Sequence, residues 1–196
     1  MKPLYIFDLD GTLADIRHRR HFVERPECPH CGRRKRCFHD DSISEQRAIG
    51  ESMPIAERPP FKADWDRFYA ACVDDQPNEP VIRTLNALRK AGAECWIWSG
   101  RSDEVKAQTV EWLQRHGCFG WPRDVLWAWP FGAPERFRMR KAGDFTADEE
   151  LKRGWLAEME PPEFKRLTAV FDDRDKVVAM WRAAGVPCFQ VAPGDF

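Results

Sequence analysis

The sequence predicts an α/β fold with three layers, a parallel sheet carrying helices on both faces. Short apolar runs of strand length alternate along the chain with amphipathic segments of helical period, and joining parallel strands through helices needs right-handed crossovers. Several of the runs also stop abruptly in polar or acidic residues: Leu4 to Phe7 runs into Asp8, Cys95 to Trp98 into Ser99, and Leu167 to Phe171 into Asp172. In sheets of this type, ligands gather at the carboxyl ends of the strands.

Residues 4–7 form the first strand. After Asp15 the periodicity is lost, and residues 16–77 carry Pro, Cys, His and charge without a long apolar pattern until residues 65–73. There Trp65, Phe68, Tyr69 and Cys72 fall at i, i+3, i+4 and i+7, which predicts a short amphipathic helix. Val81, Ile82, Leu85 and Leu88 predict a helix over 81–91 that stops at Gly92. Residues 95–98 read as a strand, 104–115 as a helix ending at Gly117, and 125–129 as a third strand. A helix over 148–159 is expected to end before Pro161-Pro162. A strand over 167–171, a helix over 177–184 with Gly185 as its cap, and a strand over 188–191 complete the pattern. The expected organisation is a core of residues 1–15 and 78–196 with an inserted lobe of residues 16–77.

At 196 residues, with 32% charged and 43% hydrophobic residues, the chain has the make-up of one globular domain or one domain with an inserted lobe. No apolar run reaches the length of a membrane span, and the N-terminus enters a strand without a signal peptide. Seven cysteines in such a chain fit a reducing, cytoplasmic setting with thiols free or metal-bound. The net charge of −1 gives no global sign of nucleic-acid binding. Its distribution is uneven, because Arg17, Arg19, Arg20, Arg25, Arg33, Arg34, Lys35 and Arg36 face only Glu24 and Glu27 over residues 17–36. A cluster of this kind is a solvated surface or the complement of a phosphate backbone.

The segment Asp8-Leu9-Asp10-Gly11-Thr12 carries the most chemistry. Side chains at i and i+2 of a strand lie on one side, so two carboxylates leave the sheet edge together. Like charges this close are costly unless a cation or proton intervenes. A divalent metal and a phosphoryl substrate resolve the conflict, with one carboxylate as nucleophile and the other as acid/base. In Ser99-Gly100-Arg101 a small hydroxyl can donate to a phosphoryl oxygen while Gly lets the backbone come close.

These residues together resemble the haloacid-dehalogenase-like phosphatases. Asp8–Thr12 matches their first motif, D-x-D-G-T, and Ser99 the second. Asp172-Asp173, after a further strand, matches the acidic fourth. Lys152, 20 residues before Asp172, stands where the third motif places its cation. The likeness narrows to the 3′-phosphatase domain of phage polynucleotide kinase/phosphatase. Asp8–Ala14, Arg140-Lys141-Ala142-Gly143-Asp144, Asp148 to Lys152 and the tail from Phe171 to Phe196 carry it, over residues 3–15 and about 78–196. The resemblance implies a Rossmannoid, haloacid-dehalogenase-like core with a small cap lobe. It implies Asp8 as nucleophile, Asp10 as acid/base, and Ser99 and Lys152 on the phosphoryl oxygens. Mg²⁺ would be held by Asp8, Asp10, Asp172 and Asp173, and Thr12, Gly100, Arg101, Arg174 and Arg19 would serve the substrate. Polynucleotide 3′ ends, DNA or RNA, are the implied partner. Two departures stand out. Phe145-Thr146 occupies a stretch where the family often has Arg, and no G-x-x-x-x-G-K-[ST] cradle occurs among the 12 glycines, so kinase activity is not expected of this sequence.

Cys28-Pro29-His30-Cys31-Gly32, followed by Cys37 and His39, has the form of a zinc knuckle. Cys28, Cys31, Cys37 and His39 could make a tetrahedral structural Zn²⁺ site, with His30 or His21 as other choices for the fourth ligand. Free thiols are the alternative. Cys72, Cys95, Cys118 and Cys188 sit in apolar settings and are expected in the core, as are most of the nine tryptophans. Trp127, Trp129 and Phe131, near the expected sheet edge, are the exceptions that could stack on bases. Two competing functions stay open at this level: the same chemistry on a small phosphoester such as a nucleotide, or a non-catalytic zinc and nucleic-acid binding module. Oligomeric state is not legible.

Overall fold

In the computed structural model, residues 1–25, 61–118 and 136–194 are described. The chain divides into two units, Met1–Ile16 with Cys72–Phe196, and Arg17–Ala71. Residues 72–77, expected in the inserted lobe, thus group with the first unit.

The first unit is built on strands that alternate inward residues on both faces. Among the described residues, β1 (Leu4–Phe7), β4 (Glu94–Ser102), β5 (Phe137–Arg140), β6 (Leu167–Asp172) and β7 (Cys188–Gln190) form one sheet in the order β5-β4-β1-β6-β7. Every pairing in it is parallel. β1 lies centrally, with Phe7 opposite Ile97 on one side and Phe171 on the other. A parallel sheet must be covered on both faces, and here it is. Tyr5, Phe7, Ile97 and Phe137 pack with Val81, Ile82 and Leu85 of α2 (Glu79–Lys90) and Trp112 and Leu113 of α3 (Lys106–Arg115). Leu4, Ile6, Trp96, Trp98 and Val170 pack on the opposite face. Their partners are Trp155 of α4 (Asp148–Ala157) and Val177, Val178 and Trp181 of α6 (Asp175–Ala183). The α/β, haloacid-dehalogenase-like architecture is therefore as expected.

Two local details differ from the expectation, and one expected strand is untested. β5 reads Phe137-Arg138-Met139-Arg140, so its apolar run is too thin to stand out in the sequence. The segment 125–129, expected as a strand, lies outside the described residues, with Trp127, Trp129 and Phe131. Pro161-Pro162 does not merely end a helix but opens α5 (Pro161–Arg166), because proline suits the first turn, where its missing N–H leaves no bond unmade. A short antiparallel ribbon, β2 (Ala14–Asp15) against β3 (Gln76–Pro77), ties together the two stretches that border the second unit. Asn78 reinforces it, donating to the Thr12 carbonyl at 2.9 Å.

In the second unit, α1 (Trp65–Ala70) follows an Asp64 cap whose carboxylate accepts from the Arg67 N–H. A 3₁₀ turn, Arg17–Phe22, buries Arg19, whose guanidinium donates to the Phe68 carbonyl at 3.3 Å and stands 4.1 Å from the Phe68 ring centroid. Of the cysteines, Cys72, Cys118 and Cys188 are buried and Cys95 is half-buried, as their apolar settings imply. The expected zinc ligands Cys28, Cys31, Cys37 and His39 lie outside the described residues, as does the basic run 33–36. Among the described residues no helix is long and apolar enough to cross a membrane.

Candidate active site

β1 delivers Asp8 at its carboxyl end, where the Asp8 N–H still bonds the Phe171 carbonyl at 2.9 Å. The chain then turns tightly. Leu13 and Ala14 both donate to the Leu9 carbonyl, and Gly11 takes φ +89°, a left-handed conformation open chiefly to glycine. A Cβ at Gly11 would also stand 2.1 Å from Asp173 Oδ2. Buried Leu9 and Leu13 anchor the turn in the core. Because Asp10 lies in this turn rather than on the strand, its carboxylate and that of Asp8 acquire different partners.

Asp8, Asp172 and Asp173 bring one carboxylate oxygen each within 4.8 Å of one another, and all three residues are buried. Lys152, on the second turn of α4, reaches in from the neighbouring face. Its ammonium donates to Asp8 Oδ1 at 2.6 Å and to Asp172 Oδ2 at 2.7 Å. Thr12 Oγ1 donates to Asp173 Oδ1 at 3.3 Å. Burial, and then the neighbouring carboxylates Asp172 and Asp173, push Asp8 well above the usual carboxylate range despite Lys152. Burial followed by Asp172 raises Asp173 to about 7. Lys152 is raised as well, for a different reason. Burial alone would lower it, but Asp172 and Asp8 hold it firmly protonated, above the ordinary lysine value. Three carboxylates buried together around a bonded ammonium form an all-oxygen donor set, which suits a hard divalent cation. The side chain of Asp10 is not in this trio, which leaves only its main-chain carbonyl for the role expected of it near a metal.

Asp10 instead pairs with Arg101. β4 runs further than expected, through Ser102, and its register against β5 jumps between Ser99 and Ser102. Gly100 and Arg101 occupy this bulge, a device that re-aims side chains at a sheet rim. Ser99 is fully buried, its Oγ accepting from the Arg101 N–H at 3.2 Å. Arg101 donates from Nε to Asp10 Oδ1 at 3.1 Å and closes a second contact to the same carboxylate through Nη2. At Gly100 a Cβ would meet Asp148 Oδ1 at 2.7 Å. Asp148, at the start of α4, pairs with both Arg140 and Arg174, and Arg140 Nε donates to the Gly100 carbonyl at 2.8 Å. The loop after β6 is braced from the C-terminal segment. Gln190 Nε2 donates to the Asp173 carbonyl at 2.8 Å, and a Cβ at Gly194 would stand 2.3 Å from that same oxygen.

The structure thus gathers Asp8, Asp10, Thr12, Ser99, Gly100, Arg101, Lys152, Asp172, Asp173 and Arg174 at one end of the sheet. Arg19 belongs to the second unit and is described there by itself. Asp75 and Thr109 do not stand out in the sequence, and Arg140 and Asp148 figure there only as parts of the segments 140–144 and 148–152. Arg140 and Asp148 carried a faint signal in the R-x-x-G-D and D-x-x-x-K pattern. Asp75 sits in an Asp-Asp pair ahead of a helix start, where acidic residues ordinarily read as caps.

A profile of the family described as the polynucleotide kinase PNKP phosphatase domain matches residues 53–196. The chain belongs to this family. The matched span holds Ser99, Lys152 and Asp172-Asp173 but begins after Asp8, so the structure is what brings the first acidic motif to the family's residues. Among solved structures, all of this chain aligns with 48% of a chain in the Pnkp1/Rnl/Hen1 complex, at 22% identity and a TM-score of 0.61. It therefore spans about half the length of that chain. CbbY from Rhodobacter sphaeroides, solved with phosphate, aligns over all of this chain and 88% of its own at 22% identity and a TM-score of 0.51. At these identities the structural likeness is one of fold: the chain is a phosphatase-family member of the haloacid-dehalogenase type.

Proposed function

We propose that the protein removes the 3′-phosphate from polynucleotide ends through an aspartyl-phosphate on Asp8, with Mg²⁺ as its metal. The observation that carries this reading is the Asp8 carboxylate at the end of β1, buried with Asp172 and Asp173 and held by the Lys152 ammonium at 2.6 Å. In a member of the polynucleotide phosphatase family, that is a nucleophile with its charge partners in place.

Asp8 attacks phosphorus in line, forming one P–O bond as the bond to the sugar oxygen breaks. Asp10 gives its proton to that departing oxygen, then takes one from the water that hydrolyses the aspartyl-phosphate. Lys152 and the Ser99 hydroxyl hold the non-bridging oxygens, so most of the catalysis is positioning and charge neutralisation. Mg²⁺, bound by the carboxylates of Asp8, Asp172 and Asp173 and the Asp10 carbonyl, would supply positive charge between nucleophile and phosphate. Arg174 and Arg140 fix Asp148, which in turn borders Gly100.

The family match favours a polymer end over a small phosphoester, and the basic run 33–36 in the cap region of the sequence would meet the strand beyond the terminal phosphate. The aligned chain from the Pnkp1/Rnl/Hen1 complex, described as an RNA repair complex, makes RNA ends as apt a substrate as DNA ends. Structural zinc on Cys28, Cys31, Cys37 and His39 remains part of this reading, and metal content of the purified protein checks it. The functional test is phosphate release, with Mg²⁺, from 3′- and 5′-phosphorylated DNA and RNA oligonucleotides, a 3′-mononucleotide and an aryl phosphate. Preference for 3′-phosphorylated ends, lost in Asp8→Asn, is expected. Release from the small substrates alone would keep the chemistry and discard the polymer. Neutralising residues 33–36 should weaken oligonucleotide use and its salt dependence while sparing the aryl phosphate.

A further inference from the structure

Behind Asp10 stands a second, deeper carboxylate that the reaction itself does not use. Asp75 is 2% exposed and follows the short 3₁₀ turn Ala71–Asp74 that leads into β3. Its Oδ2 accepts from Arg101 Nη2 at 2.7 Å, and both side chains of that pair are fully enclosed. The same guanidinium nitrogen reaches Asp10, so one rigid fork joins the two carboxylates. A third edge of the fork is also fixed: Arg101 Nη1 donates to Thr109 Oγ1 at 3.2 Å, and that hydroxyl donates onward to the Val105 carbonyl at 2.8 Å. Asp75 is itself tied to α3, its main-chain carbonyl accepting from Trp112 Nε1 at 2.8 Å.

A guanidinium is planar, with its donors in a fixed geometry, so clamping two edges sets the direction of the third. Asp10, by contrast, lies in a turn and its side chain is 18% exposed, so the buried fork of Arg101 is what reaches it from the core. Asp75 keeps Arg101 paired while Asp10 holds the proton it gives to the leaving oxygen. Sealing a second carboxylate beside Arg101 is costly unless it is paired and hydrogen-bonded, as it is here. What the arrangement gives in return is orientation.

We infer that Asp75 is a positioning residue for the acid–base step, fixing Arg101 and through it the Asp10 carboxylate that serves the leaving oxygen. This rests on the proposed role of Asp10, and the chemistry makes it separable from general stability. A sugar oxygen leaves poorly without a proton, whereas a dinitrophenolate leaves without one. General acid catalysis is typically worth about 10²–10⁴-fold, so a misaligned acid forfeits part of that on an alkyl phosphate and little on an activated aryl phosphate.

The test measures kcat/KM, which reports the steps through attack by Asp8, for Asp75→Asn, Asp75→Ala and Thr109→Val. The substrates are a 3′-phosphorylated oligonucleotide, phenyl phosphate and 2,4-dinitrophenyl phosphate, with thermal unfolding measured alongside. Asp75→Asn should lose about tenfold to a hundredfold on the oligonucleotide, less on phenyl phosphate, and under about threefold on dinitrophenyl phosphate. Thr109→Val, which removes another Arg101 partner without changing charge, should show the same grading at smaller amplitude even if Asp75→Ala does not fold. Equal losses on all three substrates, or none, would overturn the inference. Failure of the wild type to release phosphate in an Asp8-dependent way would instead remove the reading on which it rests.

Discussion

Replacing Lys152 by Met exposes the charge balance of the site to measurement. The ammonium makes two charged hydrogen bonds, at 2.6 Å to Asp8 and 2.7 Å to Asp172, on a side chain 4% exposed. Hydrogen bonds to charged groups are worth about 1.5–3 kcal/mol each, and removing one partner of a buried ion pair costs about 3–5 kcal/mol. Both routes converge on about 4 kcal/mol lost from the metal-free protein. For a chain of this size that lowers Tm by roughly 8–16 °C. Mg²⁺ added to the variant offers another cation to the same carboxylates, so the stability gap should narrow markedly. If Lys152 serves the phosphoryl oxygens as proposed, the rate should not recover; loss of such a donor typically costs about 10²–10³-fold. The assay pairs thermal unfolding in EDTA and in Mg²⁺ with phosphate release. A variant as stable as wild type in EDTA, or one whose activity Mg²⁺ restores, would refute this account of the cluster.

Three further outcomes follow from the geometry. Gly11→Ala forces a side chain into φ +89° and against Asp173 Oδ2 at 2.1 Å. The backbone strain alone is about 1–2 kcal/mol, and displacement of Asp173 should raise the Mg²⁺ concentration needed for activity, read from Tm and a Mg²⁺ titration. Trp98, fully buried against Trp96, Trp155 and Trp181, should cost about 3–5 kcal/mol when cut to Ala, measured by urea unfolding. Burial opposes the charge on Glu94, yet hydrogen bonds from Arg166 at 2.7 Å and Trp96 at 2.8 Å, with Arg136 at 3.1 Å, hold its pKa below the ordinary 4.5. A depressed folded-state value contributes stability above the unfolded one and loses it as pH falls through the folded one. Glu94→Gln should therefore be less stable than wild type near neutral pH, with the gap closing as pH falls below the ordinary 4.5 and through the depressed folded value; a gap constant with pH would refute the assignment.

The chemistry was legible where residue type and strand edge coincide. Asp8, Ser99 and Asp172 announce themselves because apolar runs end at charged or small polar residues, whereas Lys152, on a helix, is picked out only by the resemblance; closeness of the strand ends follows from the parallel topology. What stayed hidden depends on tertiary context. β5 reads poorly because Arg138 and Arg140 interrupt its apolar run, although each finds a partner in the fold, Glu158 and the Gly100–Asp148 corner respectively. The bulge at Gly100 and Arg101 cannot be read from a strand's own residues, since it is defined by the register of its neighbour. Pro161-Pro162 is ambiguous in principle, because the same residue that stops one helix suits the first turn of the next.

The D-x-D spacing shows how far a local rule carries. On a regular strand the two carboxylates would point together and share one environment. The left-handed step at Gly11 belongs to a turn that begins within the motif, so they part company: Asp8 takes Lys152, and Asp10 takes Arg101. The partners differ in kind. Lysine is a compact point charge able to follow a moving phosphoryl group, while arginine is a rigid fork that fixes direction. In the proposed reaction, a nucleophile whose charge changes hands and an acid whose proton must meet one oxygen make opposite demands. Two residues apart in sequence, they meet those demands through cations delivered by different layers of the fold, one from α4 and one from the bulge in β4.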